Sequence, residues 1–415
     1  MYTYPHFNFN GLFPSTLQDG KTPLQVADGD DVIEYLQAGY NPENDDRLTH
    51  SDVGSVGLSS WMETSSQGTV DPMGFEVHGS FTFAEHEYLD RASSCASLYS
   101  MDSGESTPRD SPSKAKACML GSAIGDALGA TLEGCPNRDP YRPVVTDIVG
   151  GGSFHLVPGQ WTDDTSMMLC LAQSLAHRKG MNLRDQLRRY WRWCSKGENS
   201  STGKAFSVGA TTLKALKKFA HSGSNSGHCG SKAPNTAGNG SLMRIAPIPV
   251  VANSLERAME WGAEQSKTTH GTREAVEACS AFSGMVHRAL AGEDKENILN
   301  CPEILNGRWS PKIKKVIEGS YREREPPDIK GTRYVVNTLE AVLWAFYKSE
   351  TFTDGMILVV NLGNDADTTG AIYGALAGAY YDLEAIPKHW RDIVYWSDHI
   401  QSVAERLYKL RSRVK

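Results

Sequence analysis

The sequence predicts an all-α fold: one large multi-helix bundle, preceded by a largely disordered N-terminal extension. Three observations predict it. From about Ala115 to the end, apolar residues recur three and four apart, and alternating strand patterns are scarce. Within the apolar stretch AKACMLGSAIGDALGATL, Gly121, Gly125 and Gly129 fall on one face at four-residue spacing. Charge also divides the chain. Residues 1–113 hold 18 acidic and 4 basic side chains, and residues 114–415 hold 31 and 38. The boundary is therefore placed between 113 and 114. It leaves a helical domain of roughly 300 residues, large but acceptable for a bundle.

In the first 113 residues acidic, Ser/Gly-rich and aromatic patches alternate without sustained periodicity. The closing run, SLYSMDSGESTPRDSPSK, reads as a linker. Thr107-Pro108 and Ser111-Pro112 have the form of proline-directed phosphorylation sites, although an ordinary linker accounts for them. The N-terminus, MYTYPHFNFN, lacks the basic flank and apolar core of a signal peptide. The most apolar stretches, 117–132 and 370–381, are too short and glycine-rich to span a bilayer. Eight cysteines without a CxxC pair suggest reduced, mostly buried thiols. An intracellular, cytoplasmic protein is expected, with the nucleus also open to it.

The helices follow in order. TSMMLCLAQSLAHR places Met168, Leu171, Ala172 and Leu175 on one side. LRDQLRRYWRWC, GATTLKALKKF, SLERAMEWGAEQSKTTH, TREAVEACSAFSGMVHRALAG and RYVVNTLEAVLWAFYKS come next. A small-residue helix behind Asp365 and a final amphipathic segment, WSDHIQSVAERLYKLR, complete the set. No fixed-period repeat is visible, so a solenoid is not predicted.

The stretch VVNLGNDADTTGAIYGALAGA, 359–379, carries the strongest chemical signal. It turns through Asn361, Gly363 and Asn364 and presents Asp365, Asp367 and Thr368 on a non-helical approach to a helix. Two carboxylates two apart, with a hydroxyl beside them, suit Mg²⁺ or Mn²⁺ better than zinc. Thr162, Asp163 and Asp164 form a matching set at a second helix start. A helix cap with acids in its first turn explains part of that string. If the two sets converge, their charges require compensation. Two unit charges about 4 Å apart repel by about 4 kcal/mol at an effective dielectric near 20. Two bridged divalent ions are the simplest solution.

Other positions carry weaker signals. Glu133 follows the glycine-faced helix and by itself suits an exposed helix end. Asp126 lies among small residues within that helix, where structural hydrogen bonding is expected. Ala237-Gly238-Asn239-Gly240-Ser241, inside NTAGNGSLMR, is either a plain loop or a backbone nest for phosphate. Phe206-Ser207-Val208-Gly209 is similar but weaker, and His270 alone reads as structural. Neither a P-loop, a GxSxG elbow nor a Cys–His nucleophile is present. The modest positive balance of residues 114–415 suits an anionic small molecule and is too small for a nucleic-acid groove.

Together, GDALGATLEG, GQWTDDTSM, AGNGSLMRIAP, TTHGTREA and NDADTTGAIYGALAGAYY, in this order, resemble the ADP-ribosylglycohydrolase family. The dinitrogenase reductase-activating glycohydrolase branch is the most similar, through the IPKHW segment at Ile386 to Trp390. The resemblance runs from about Lys116 to Arg411 and does not cover residues 1–113. It implies an all-α bundle with two divalent cations, Mg²⁺ or Mn²⁺. The implied ligands are Thr162, Asp163, Asp164, Asp365, Asp367 and Thr368, with Glu133, Asp163 and Asp164 as catalytic candidates. Ala237, Gly238, Asn239, Gly240 and Ser241 would wrap ADP-ribose, with Gly209 at the phosphates and His270 beside the ribose. Where the family has Gly-Gly-Asp this chain has Gly363-Asn364-Asp365, and asparagine is expected to keep the left-handed turn.

The implied reaction is hydrolysis of the α-glycosidic bond from ADP-ribose to an acceptor such as protein arginine or serine. The partner is then an ADP-ribosylated protein or a small ADP-ribose conjugate. A monomer without stable nucleic-acid binding or membrane attachment is expected. The alternatives are a non-catalytic ADP-ribose-binding relative and a hydrolase of a free ADP-ribose derivative.

Overall fold

The computed structural model describes residues 111–136, 144–222 and 226–413. The expected disorder of the extension and the Thr107-Pro108 site fall outside these residues. Among the described residues there are fifteen α-helices, five short 3₁₀ turns and no strand beyond three isolated bridges. None of the helices is long and apolar enough to cross a membrane. No disulfide joins the seven described cysteines, and six of them are buried.

The first helix, α1 (Pro112–Gly129), begins earlier than the linker reading places it. The Ser111 hydroxyl accepts the Lys114 N–H at 3.3 Å, and Pro112 occupies the first helical position. A serine cap followed by proline is a strong start signal, because proline lacks the N–H that would go unpaired there. The Lys114 ammonium then reaches the carbonyls of Ala289 at 3.2 Å and Tyr380 at 3.4 Å. Residues 111–114 are thus an anchored cap and first turn, and Ser111 is a buried capping residue.

Then come α2 (Asp163–Arg178), α3 (Leu183–Lys196), α4 (Ala210–Ser222), α5 (Pro247–Val251), α6 (Leu255–Ser266) and α7 (Arg273–Leu290). The sequence pattern carries α6 through to His270, but the helix stops at Ser266. Lys267 to His270 instead form a turn that lifts His270 off the helix. Three short helices, α8 (Lys295–Leu299), α9 (Pro302–Leu305) and α10 (Pro311–Ile317), lead to α11 (Val335–Lys348). The apolar run at 356–360 belongs to α12 (Phe352–Val360), capped by Thr351 through the Asp354 N–H at 3.1 Å. The chain ends with α13 (Ala366–Tyr381), α14 (Lys388–Ile393) and α15 (Ser397–Leu410).

The core is organised on α1 and α13, which run antiparallel with their backbones in contact. A Cβ built on Gly121 would fall on the Gly374 carbonyl, one on Gly125 on the Gly370 carbonyl, and one on Gly129 on the Ala366 carbonyl. Reciprocally, a Cβ on Gly378 would fall on the Ala117 carbonyl. The smooth face expected at 121, 125 and 129 therefore meets an equally smooth partner. Around this pair, α7, α11 and α12 pack on α13, and α15 packs on α1 and α2. Because the pair is antiparallel, the C-terminal end of α1 lies beside the N-terminal end of α13.

Candidate active site

Three chain segments converge at that end. After α1 a 3₁₀ turn, Ala130–Leu132, delivers Glu133. Thr162 stands at the N-cap position of α2, with Asp163 and Asp164 as its first two helical residues. Asp365 stands at the N-cap position of α13, with Asp367 as the second helical residue. Asp367 thus stands in the first helical turn and not on a non-helical approach, at the same helical position as Asp164. Unpaired N–H groups and the helix dipole favour carboxylates there.

Local hydrogen bonds fix these ends. Asp126 caps α2 from α1, since the Thr162 side chain makes no cap of its own. Asp126 Oδ1 accepts the Thr162 N–H at 2.9 Å, and Oδ2 accepts the Thr165 N–H at 3.0 Å and its hydroxyl at 2.7 Å. The structural hydrogen bonding expected of Asp126 is what the geometry shows. Gly363 and Asn364 adopt φ of 72° and 61°, so asparagine does keep the left-handed turn. Asn364 N–H donates to the Cys135 carbonyl and Gly134 N–H to the Asn364 carbonyl, both at 2.7 Å. That pairing joins the Glu133 segment to the Asp365 turn.

Six carboxylates are buried here: Asp126, Glu133, Asp163, Asp164, Asp365 and Asp367. Asp126, Asp164 and Asp367 bring oxygens within 4.8 Å of one another, and so do Glu133, Asp365 and Asp367. The two trios share Asp367. The Thr162 hydroxyl donates to Asp164 Oδ2 at 3.1 Å and lies 3.4 Å from Asp367 Oδ2. Thr368 N–H donates to Asp367 Oδ1 at 2.8 Å. Asn239 donates its amide to Asp365 Oδ2 at 2.5 Å and to the Thr338 hydroxyl at 2.9 Å. Two buried oxygens, Asp164 Oδ1 and Glu133 Oε2, have no hydrogen-bond partner among the described residues. Asp163 belongs to neither trio and accepts a hydrogen bond from Ser207, itself left-handed at φ 57°.

Burial, and then the neighbouring negative charges, push Asp163, Asp164 and Asp367 well above the usual carboxylate range. Burial and the Glu133 charge push Asp365 up to about 6. The one cation paired with the cluster among the described residues is Arg333, whose guanidinium donates to Glu133 and lies 3.5 Å from Asp365 Oδ1.

The glycine loop forms the adjoining wall. Asn239 N–H donates to the Arg333 carbonyl and Val335 N–H to the Ala237 carbonyl, each at 3.1 Å. A Cβ on Gly240 would lie 2.8 Å from His270 Cε1 and 3.4 Å from the Thr212 hydroxyl, and one on Gly238 3.4 Å from His270 Nε2. Thr212 is also the neighbour of Gly209, at 3.9 Å from a Cβ there. Gly209, Gly238, Gly240 and His270 therefore share one wall. The Ser241 hydroxyl points elsewhere, to Ser266 at 2.8 Å and Cys279 at 3.4 Å, and ties the loop to the core. His270 Nδ1 pairs with the Thr269 hydroxyl at 2.9 Å. Burial and the Arg244 charge lower its pKa to about 3, so the ring is neutral at physiological pH.

Two arginines escaped the sequence analysis. Arg333 sits just before a helix with no motif around it. Arg244 closes the glycine loop string, which was its only sequence signal. It is fully buried and has no acidic partner among its hydrogen bonds. It donates to the Gly240 carbonyl at 3.1 Å, the Thr268 and Thr269 hydroxyls at 2.9 Å each and Gln265 Oε1 at 3.1 Å. Its guanidinium stacks 4.5 Å from the Tyr190 ring centroid. One side chain thus fixes both the loop and the turn carrying His270.

Comparison with known proteins gives this geometry a context. The family model for ADP-ribosylglycohydrolase matches residues 107–415. The chain belongs to the ADP-ribosylglycohydrolase family. It is 41% identical over 303 residues to the ADP-ribosylarginine hydrolase Tri1 of Pseudomonas putida (strain GB-1), covering 73% of this chain and 80% of that protein. It is 31% identical over 280 residues to the ADP-ribosyl-[dinitrogen reductase] glycohydrolase of Rhodospirillum rubrum, covering 67% and 88%. A solved structure titled ADP-ribosylglycohydrolase-related protein complex superposes with a TM-score of 0.65 at 38% identity, covering 73% of this chain and 99% of that one. Like its relatives, this ADP-ribosylglycohydrolase is a hydrolase of ADP-ribose linkages.

The loop geometry makes a prediction for the glycohydrolase. Arg244→Lys keeps the charge but loses the planar fork that holds Gly240, Thr268 and Thr269 together. ADP-ribose binding is expected to weaken about tenfold, equivalent to one lost charge-assisted hydrogen bond. Isothermal titration checks this, and undiminished affinity would contradict the positioning role.

Proposed function

We propose that this glycohydrolase releases ADP-ribose from protein arginine side chains with the help of two divalent cations, Mg²⁺ or Mn²⁺. The observation that carries the metal part is the pair of trios sharing Asp367, with Asp164 Oδ1 and Glu133 Oε2 buried and unpartnered. Buried acceptors without donors are costly, and hard oxygen donors fit a hard cation. Thr162, Asp164 and Asp367 would hold one ion and Asp365, Asp367 and Thr368 the other, with Glu133 at its margin. Bound there, the cations would orient the ribose hydroxyls and a water and stabilise developing charge.

The chain's own residues supply the rest. Glu133, with its buried and unpartnered Oε2, is the first candidate to take a proton from water. Asp163, tied to Ser207, is the second proton-transfer candidate. Neutral His270 and the backbone of Gly209 and Gly238 to Gly240 line the wall for the sugar and phosphates. Arginine is the favoured acceptor by likeness to relatives named for it. Two relatives at 41% and 37% identity carry the name ADP-ribosylarginine hydrolase.

The test is incubation of the full chain with ADP-ribosylated arginine and serine peptides in Mg²⁺, Mn²⁺ or chelator. Release from the arginine peptide, abolished by chelator, is expected. Release indifferent to chelator overturns the metal part, and preference for serine overturns the acceptor. Tight ADP-ribose binding without turnover would leave a non-catalytic binding protein.

A pH dependence accompanies the metal. Asp365 is raised, so the metal-free folded state keeps a proton that the unfolded state has already lost. That stability is present at low pH and disappears as pH rises through about 6. Cations bind the deprotonated carboxylates, so their effect runs the other way. The rise in Tm on adding Mg²⁺ is expected to be small near pH 5 and several-fold larger near pH 7.5. Differential scanning fluorimetry across that range checks it.

A further inference from the structure

We propose that Arg333 is a built-in counter-ion competing with a divalent cation for Glu133 and Asp365. The proposal rests on the two-metal reading above. The Arg333 guanidinium donates to Glu133 Oε1 and approaches Asp365 Oδ1, so it engages two of the three carboxylates of one trio. It forms no salt bridge with Asp126 or Asp164 in the other. A monovalent guanidinium and a divalent ion repel each other, so each weakens the other's hold on those two carboxylates.

The backbone around Arg333 is fixed, because its carbonyl accepts the Asn239 N–H and Tyr334 bridges to Gly238. The side chain is not: it is 72% exposed, against 5% for Glu133. It can swing into solvent at little cost, whereas the carboxylate it leaves cannot. The metal-free cluster therefore has a partial substitute for one cation, and the two metal positions are unequal. The Glu133–Asp365–Asp367 position fills second and binds more weakly, because Arg333 already sets a positive charge against two of its three carboxylates.

The experiment is a Mn²⁺ titration of the full 415-residue chain, following the free ion by electron paramagnetic resonance. Wild type is expected to show two classes of site. In Arg333→Ala the weaker class tightens about three- to fivefold, the scale of a largely exposed ion pair, while the stronger is unchanged. Arg333→Lys, which keeps the charge, stays near wild type. Arg333→Gln keeps the test available if alanine prevents folding. The metal-free Tm falls in the neutral variants and the Mn²⁺-saturated Tm does not. A merely structural arginine would lower both and weaken Mn²⁺. Unchanged or weaker Mn²⁺ binding in both neutral variants overturns the proposal with the metal reading intact. Absence of Mn²⁺ binding in wild type removes both.

Discussion

Asp367→Asn is expected to eliminate binding of both cations and to lower kcat/KM on ADP-ribosylated arginine by about a thousandfold or more. Asp367 is the one carboxylate common to both trios, so no other single substitution touches both positions. Asparagine has the same shape and can still accept the Thr368 N–H through its amide oxygen. The fold has no reason to fail. Burial and the neighbouring carboxylates already oppose a charge on Asp367 in the metal-free state, so a neutral asparagine suits that position. The metal-free variant should accordingly be at least as stable as the metal-free parent, while the Tm increase on adding Mn²⁺ vanishes. Scanning fluorimetry in chelator and in Mn²⁺, alongside turnover on the arginine peptide, separates these effects. Turnover at the wild-type rate would falsify the shared-ligand role.

Much of this arrangement was legible before any coordinates. Period-3.6 patterning gave the long helices, because each must bury one continuous face. Asp163, Asp164, Asp365 and Asp367 stood out because two acids at a helix start form a local pattern. The glycine spacing on α1 was also local, and its partner face on α13 is where the structure places it. What escaped depends on contacts across the chain. Arg333 and Glu133 are 200 residues apart, and no periodicity connects them. Arg244 gains its meaning from Thr268, Thr269 and Tyr190, which lie in other elements. The short helices were missed for another reason. Five to seven residues such as Pro247–Val251 and Pro311–Ile317 cannot establish a period. Ser310-Pro311 nevertheless repeats the Ser-Pro start of Ser111-Pro112, a signal available in the sequence.

The same logic places the second large effect far from the carboxylates, at Gly125. Glycine to alanine inside a helix normally stabilises by about 1 kcal/mol. At Gly125 the sign should reverse. The added Cβ would fall on the Gly370 carbonyl and within 2.8 Å of the Ala371 nitrogen, both backbone atoms of α13. Backbone cannot rotate aside as a side chain can, so the helices must separate or slide. Either movement breaks the contacts at Gly121 with Gly374 and at Gly129 with Ala366. Overpacking of this kind costs about 1–3 kcal/mol, and a clash with backbone belongs at the upper end. The displacement also reaches the site, because Asp126 and Glu133 follow Gly125 on one side and Asp365 and Asp367 precede Gly370 on the other. Gly125→Ala is therefore expected to lose both stability, by denaturant unfolding, and Mn²⁺ affinity. Gly209→Ala is the control for glycine removal, since its Cβ would meet only the Thr212 hydroxyl at 3.9 Å. It should keep its stability and its Mn²⁺ binding. A loss below about 1 kcal/mol in Gly125→Ala would mean that the helices part readily, and that their close approach does not hold the two halves of the site in register.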